Sequence, residues 1–161
     1  MLENIHATHP IDVTLGKWIA AVQRSHITTP KRSRPALMPH GRFVGGRRAT
    51  DCVERSAVVQ FDIDTKHNPG LSVDAVKRRA AGVPSIVFLA RSASDGCYGF
   101  ALNTYASTSA MFDELERALG VTLDRVNSQS VTALRFASYD PHHMSTFDKL
   151  QLNQFQWTIL S

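Results

Sequence analysis

The stretch Val58-Val59-Gln60-Phe61-Asp62-Ile63-Asp64 constrains this chain more than any other. Val, Ile and Phe favour a pleated strand. Side chains alternate along a strand, so Val59, Phe61 and Ile63 point to one face and Asp62 and Asp64 to the other. At about 3.3 Å per residue the two aspartates sit roughly 6–7 Å apart at Cα. Asp is depleted in strands, so strand formation does not ask for either of them. Two like charges that close repel unless a proton, water or a cation separates them. Hard Mg²⁺ or Mn²⁺ prefers carboxylate oxygen and is the simple remedy. The competing reading has Asp64 opening the turn Asp64–Gly70 while Asp62 faces solvent.

At 161 residues the chain is expected to form a single domain, with a basic segment over 24–55 and the core over 56–145. No apolar run is long enough for a transmembrane helix, and Met1–His6 lacks the basic and apolar regions of a signal peptide. Two cysteines, Cys52 and Cys97, are too few for a disulfide framework or a cysteine zinc cluster, which points to a reducing, cytoplasmic location. The net charge of +4 favours a polyanionic partner. That charge is concentrated: Arg24, Lys31, Arg32, Arg34, Arg42, Arg47, Arg48 and Arg55 face only Asp51 and Glu54. Pro30, Pro35, Pro39, Gly41, Gly45 and Gly46 interrupt the segment, so it reads mostly as loop. A basic loop leading into an acidic strand suits a phosphate-bearing partner; a solvated surface loop has the same composition.

The remaining elements follow from local pattern. Leu15, Trp18, Ile19 and Val22 recur at helical spacing, predicting a helix over Thr14–Ser25. Arg42–Val44 is a candidate short strand. Ser72 caps a helix that runs to Ala81 and stops at Gly82 and Pro84. Ser85–Ala90 and Cys97–Asn103 form a hairpin around the turn Arg91–Gly96. Ser107 or Thr108 caps a third helix, and Gly120 closes it. A polar stretch over Asn127–Ser130 leads to a strand near Val131–Ala137, the turn Ser138–Pro141, and a last strand within Leu150–Leu160. The expected class is α+β, an open sheet flanked by helices.

Four features converge on one chemistry: the pair Asp62/Asp64, the Ser-rich turn Ser92-Ala93-Ser94-Asp95-Gly96, a third carboxylate at Asp124, and Arg135 ahead of Ser138, His142 and His143. Carboxylates with hydroxyl, amide and guanidinium donors suit metal-assisted phosphoryl transfer. Phe61-Asp62-Ile63-Asp64, Leu123-Asp124 and Leu134–Pro141, with the segment Lys31–Phe43 before them, resemble the ordered motifs of the archaeo-eukaryotic primase superfamily. The likeness covers roughly residues 30–145. It is strongest to the primase-polymerase branch, especially the primase-like N-terminal domain of mobile-element replication proteins. The resemblance implies an RRM-like catalytic core and a DNA primase/polymerase-type nucleotidyltransferase serving replication of a phage, plasmid or other mobile element. Asp62, Asp64 and Asp124 would be the catalytic, Mg²⁺- or Mn²⁺-binding residues. Ser92, Ser94, Arg135 and Lys66 would contact nucleoside triphosphate, and Arg32, Arg34, Arg42, Arg47 and Arg48 a single-stranded DNA template. A separate helicase would be a partner.

The second motif departs from the family pattern Ser-Gly-Lys/Arg-Gly-x-His. Aligned on Ser94, the histidine position falls on Gly99 and the basic residue is missing. This leaves open a catalytically degenerate module that binds single-stranded nucleic acid or a replication partner. A metal-dependent nuclease would use the same carboxylates. A phosphatase Asp-x-Asp-x-Thr box fits poorly, because Lys66 stands where Thr or Val belongs.

Overall fold

The computed structural model describes residues 10–24, 30–146 and 156–160. The chain groups into two compact units, one from the described parts of 1–57, 131–141 and 147–161, the other from 58–130 and 142–146. Among the described residues there are four α-helices and small, open antiparallel sheets, an α+β architecture. No described helix is long and apolar enough to cross a membrane.

In the first unit, β1 (Pro10–Thr14) runs into α1 (Leu15–Arg24). The helix buries Leu15, Trp18, Ile19 and Val22, the stripe its spacing predicts. Strands β2 (Ala36–Met38), β8 (Arg135–Phe136) and β10 (Gln156–Leu160) join β1 in one antiparallel sheet ordered β1-β10-β2-β8. Strands β3 (Gly41–Phe43) and β4 (Cys52–Arg55) form a separate hairpin. The expectation of mostly loop over 24–55 is therefore corrected: three strands and two 3-10 turns, Lys31–Ser33 and Ala49–Asp51, lie there. The reason is long-range pairing. Ala36-Leu37-Met38 is too short to announce a strand, yet it pairs with Thr158–Leu160 on one side and Arg135–Phe136 on the other. The strand expected over Val131–Ala137 contracts to Arg135–Phe136. The expected last strand includes β10, while its residues 150–155 lie outside the described residues.

The second unit runs β5 (Val58–Asp64), α2 (Val73–Ala80), β6 (Ile86–Arg91), β7 (Gly96–Leu102), α3 (Thr108–Leu119), α4 (Arg125–Gln129) and β9 (Met144–Ser145). The sheet order is β5-β7-β6-β9. Both β5 and β6 are antiparallel to β7, so they are parallel to each other, with α2 as the crossover and β7 inserted between. Ser72 Oγ accepts from the Ala75 N–H and Ser107 Oγ from the Ala110 N–H, as the sequence predicts for helix caps. Gly120 ends α3 at φ +64°, a left-handed conformation that favours glycine.

One face of this sheet is the core. Val59, Phe61 and Ile63 of β5 pack with Val76 and Ala80 of α2 and with Met111, Phe112, Leu115 and Leu119 of α3. The other face of β5 carries Gln60, Asp62 and Asp64, opposite Phe100, Tyr98 and Gly96 of β7. Aromatic rings continue that face: Phe88 stacks on Phe100 at 5.3 Å, and Tyr98 meets Phe100 edge-on at 5.7 Å.

Register corrects one expectation. Gly99 lies opposite Phe61, on the helix-covered face. A Cβ there would stand 2.3 Å from Phe61 Cζ and 2.7 Å from the Phe88 carbonyl oxygen. A histidine at this position would point into the core rather than toward Asp62; the residue opposite Asp62 is Tyr98. Packing against Phe61 and the Phe88 carbonyl is what holds this position to glycine. Gly99→Ala should lower unfolding stability in urea by about 1–3 kcal/mol, the usual cost of overpacking. An unchanged transition midpoint would contradict the close Phe61–Gly99 approach.

Candidate functional site

The polar end of β5 is where the predicted acids lie. Asp62 and Asp64 are half-buried and separated by fully buried Ile63, as strand alternation requires. Among the described residues, the edge of β5 away from β7 has no neighbouring strand. The segment leading into α4 covers it instead. The Asp124 N–H donates to the Asp62 carbonyl at 2.9 Å, and the Asp62 N–H donates to Ser128 Oγ at 3.0 Å. Ser128 Oγ in turn donates to the Asp124 carbonyl at 2.6 Å. Two aspartates far apart in sequence are thereby joined through their backbones.

Asn127 joins their carboxylates as well. Its side-chain amide donates to Asp62 Oδ2 at 2.9 Å, and its backbone N–H donates to Asp124 Oδ1 at 3.1 Å. Asn127 is itself held by Gln60, whose buried amide donates to its carbonyl at 3.2 Å. Asp124 thus acts as the N-cap of α4, a helix that lies in what the sequence reads as a polar stretch. Asp-x-x-Asn offers a cap signal, but five residues give too little periodicity to reveal a helix.

Two further clamps hold this segment. Asn68 donates from Nδ2 to the carbonyls of Asp64 at 2.8 Å and Thr122 at 2.9 Å, and its Oδ1 accepts from the Thr122 N–H at 2.7 Å. Glu116 of α3 accepts from the Leu123 N–H at 2.9 Å and from Arg125 at 2.6 Å. Arg125 also bonds Asp113 at 2.5 Å. The Arg125 guanidinium, helped by the Leu123 N–H, holds the Glu116 carboxyl below its ordinary range despite partial burial. The same two carboxylates raise the Arg125 pKa above the ordinary arginine value. Asn68, Glu116, Arg125, Asn127, Ser128 and Gln60 are the residues that sequence reasoning missed.

The other predicted residues divide between the units. Lys66 Nζ lies 3.5 Å from Asp64 Oδ2, beside the acids. The turn that holds Ser92 and Ser94 joins β6 to β7, and Gly96 at its end lies opposite Asp64. Ser92 Oγ braces this turn, donating to the Ser94 carbonyl at 2.9 Å and accepting from the Ser94 N–H at 3.2 Å. His142 offers its carbonyl to Lys77, and the His143 ring lies 5.6 Å from Phe88. Arg135 belongs to the first unit, buried on β8 opposite Leu37. Arg32, Arg34, Arg42, Arg47 and Arg48 belong to that unit too. Arg34 donates to the Ala137 carbonyl at 3.4 Å, Arg42 pairs with Glu54 at 2.9 Å, and Arg48 with Asp51 at 3.4 Å.

The donor set fits Mg²⁺ or Mn²⁺ in kind, since carboxylate oxygens are the ligands these hard ions prefer. In number it falls short in this conformation: among the described residues no three His, Cys, Asp or Glu side chains are gathered to hold a metal ion. Asn127 and Lys66 occupy carboxylate oxygens of the three acids instead. No family model, curated protein or solved structure matches the chain.

The Glu116 clamp makes a pH-dependent prediction. A carboxyl held below its ordinary pKa contributes stability that is complete above the unfolded value and is lost as pH falls through the folded value. Glu116→Gln should cost about 1–2 kcal/mol at neutral pH, in keeping with hydrogen bonds to charged groups. The difference from wild type should shrink as pH drops below the ordinary glutamate range. Urea melts across pH read this out; a difference independent of pH would contradict the charged clamp.

Proposed function

We propose that this chain is a primase-polymerase-type nucleotidyl-transfer domain that extends nucleic acid from nucleoside triphosphates on a single-stranded template. One observation carries the reading: the Asp124 N–H bonds the Asp62 carbonyl, so the first and third acidic motifs meet at one end of β5. Sequence spacing alone did not require that meeting. The connectivity supports it too. The β5–α2–β6 unit has β7 inserted between its strands, a split βαβ arrangement of the kind an RRM-like core would need, and Asp124 is bonded to the outer edge of β5.

In this reading Asp62, Asp64 and Asp124 would hold Mg²⁺ or Mn²⁺ once Asn127 and Lys66 release their carboxylates. The bound cation would lower the pKa of the attacking hydroxyl and neutralise charge on the leaving pyrophosphate. Lys66 and the backbone of the Ser92–Ser94 turn lie at the end of the sheet where the phosphates would sit. Arg135 enters as a phosphate contact through the motif resemblance. The exposed arginines of the first unit would track template phosphate, and a separate helicase would expose the strand.

A second reading has its own observation. The carboxylates are already satisfied by Asn127 and Lys66, which a domain that only binds nucleic acid would tolerate. Incorporation of labelled nucleotides on a primed single-stranded template with Mn²⁺ separates the two. Wild type should extend the primer, and Asp62→Ala and Asp124→Ala should each lose about a hundredfold or more while remaining folded. Full activity in a folded Asp62→Ala protein would refute the assignment. A wild type that binds template but incorporates nothing would leave the binding module.

A further inference from the structure

The β3–β4 hairpin is ordered beyond what a solvated linker needs. Strand β3 is anchored at its turn end, because Phe43 is buried with Met38 against Val131 and Leu134. The hairpin tip is tied shut by Asp51. Asp51 Oδ2 accepts from the Arg48 N–H at 2.8 Å, and the Asp51 carbonyl accepts from the Val44 N–H at 3.0 Å. Gly45 takes φ +79°, a conformation that favours glycine, and a Cβ on Gly46 would crowd the Asp51 carboxylate at 2.7 Å.

What this braced ribbon presents is mixed in chemistry. Between Gly41 and Arg55 the four arginines Arg42, Arg47, Arg48 and Arg55 oppose Asp51 and Glu54, a balance of 4 − 2 = +2. Both acids are already engaged, Asp51 by Arg48 and Glu54 by Arg42. Arg47 and Arg55 are exposed and make no ion pair among the described residues. Beside them stand two exposed valines, Val44 at 61% and Val53 at 60%. The register skips Val53 between the Arg42–Glu54 and Phe43–Cys52 pairs, making it the extra residue of a β-bulge. Bulges re-aim side chains, and this one turns an apolar group outward.

Arginine donors and small apolar side chains on one ribbon match a single nucleic-acid strand, which offers phosphates and the apolar faces of sugars and bases. A membrane surface suits them less, because two valines on a short ribbon offer little apolar area to insert. We infer that the β3–β4 hairpin is an arm that grips a single nucleic-acid strand, with Arg47 and Arg55 on phosphates and Val44 and Val53 against sugars and bases. This rests on the nucleic-acid half of the proposed function and not on its catalytic half.

The test is fluorescence anisotropy of a labelled oligo-dT strand with the full chain, titrated across NaCl concentration. Each single-strand phosphate contact contributes about 0.7 to the slope of log K against log salt. Arg47→Ala and Arg55→Ala should each reduce the slope by about 0.7 and the double variant by about 1.4. Val44→Ser with Val53→Ser should weaken binding at every salt concentration without changing the slope. Arg91→Ala, on an arginine paired with Asp74 in the other unit, should leave the slope alone. Full wild-type slope in the folded Arg47/Arg55 double variant overturns the arm. So does a wild type that binds no oligo-dT, or one that binds only anionic phosphatidylserine vesicles. Oligo-dT binding with the expected slopes but no nucleotide incorporation keeps the arm and removes the catalytic reading.

Discussion

An unpaired strand edge must find partners for its N–H and C=O groups, and at β5 that requirement shapes the acidic end of the second unit. The Asp62 backbone faces away from β7, and among the described residues no strand pairs it there. Ser128 takes its N–H and Asp124 satisfies its carbonyl. A buried backbone group left without a partner costs roughly 1–3 kcal/mol, enough to hold a loop in register. Because the residue that completes the edge is itself an aspartate, closing the sheet and gathering the acids are one event.

Everything around that seam restrains it. Asn68 ties the turn after β5 to Thr122, so the chain entering and the chain leaving the acidic end share an amide. Glu116 and Arg125 tie Leu123 back to α3, whose apolar face is fixed in the core by Met111, Phe112, Leu115 and Leu119. Asn127 then sets the spacing of the two carboxylates, and Gln60 sets Asn127. Asp62 and Asp64 are thus mounted on a strand, and Asp124 is bonded to its edge rather than left on a free loop. The donors that quiet their charge are the amide groups of Asn127 and the Lys66 ammonium.

What was legible in the chain was what is local. Alternation through Val58–Asp64, the serine caps at Ser72 and Ser107, and the glycine stop at Gly120 each depend on neighbours within a turn or two, and each stands where the sequence puts it. What was not legible depends on distant partners. Ala36-Leu37-Met38 becomes a strand only because β10 and β8 flank it. Gly99 reads as a lost histidine until register puts it against the Phe61 ring. Asn127 and Asn68 look like ordinary loop polar residues, and only the fold brings them to partners more than fifty positions away. Asp124 was legible as a third carboxylate; the seam that places it beside Asp62 was invisible in composition or period.

The measurement that tests the central claim most directly is native-state hydrogen exchange of the Asp124 amide, read by NMR on the free protein. If its N–H closes the edge of β5, it exchanges only when the sheet opens, with protection close to that of the β5 amides bonded to β7. Exchange at the rate of an open loop, with those β5 amides still protected, would separate Asp124 from Asp62 and contradict the account of the acidic end.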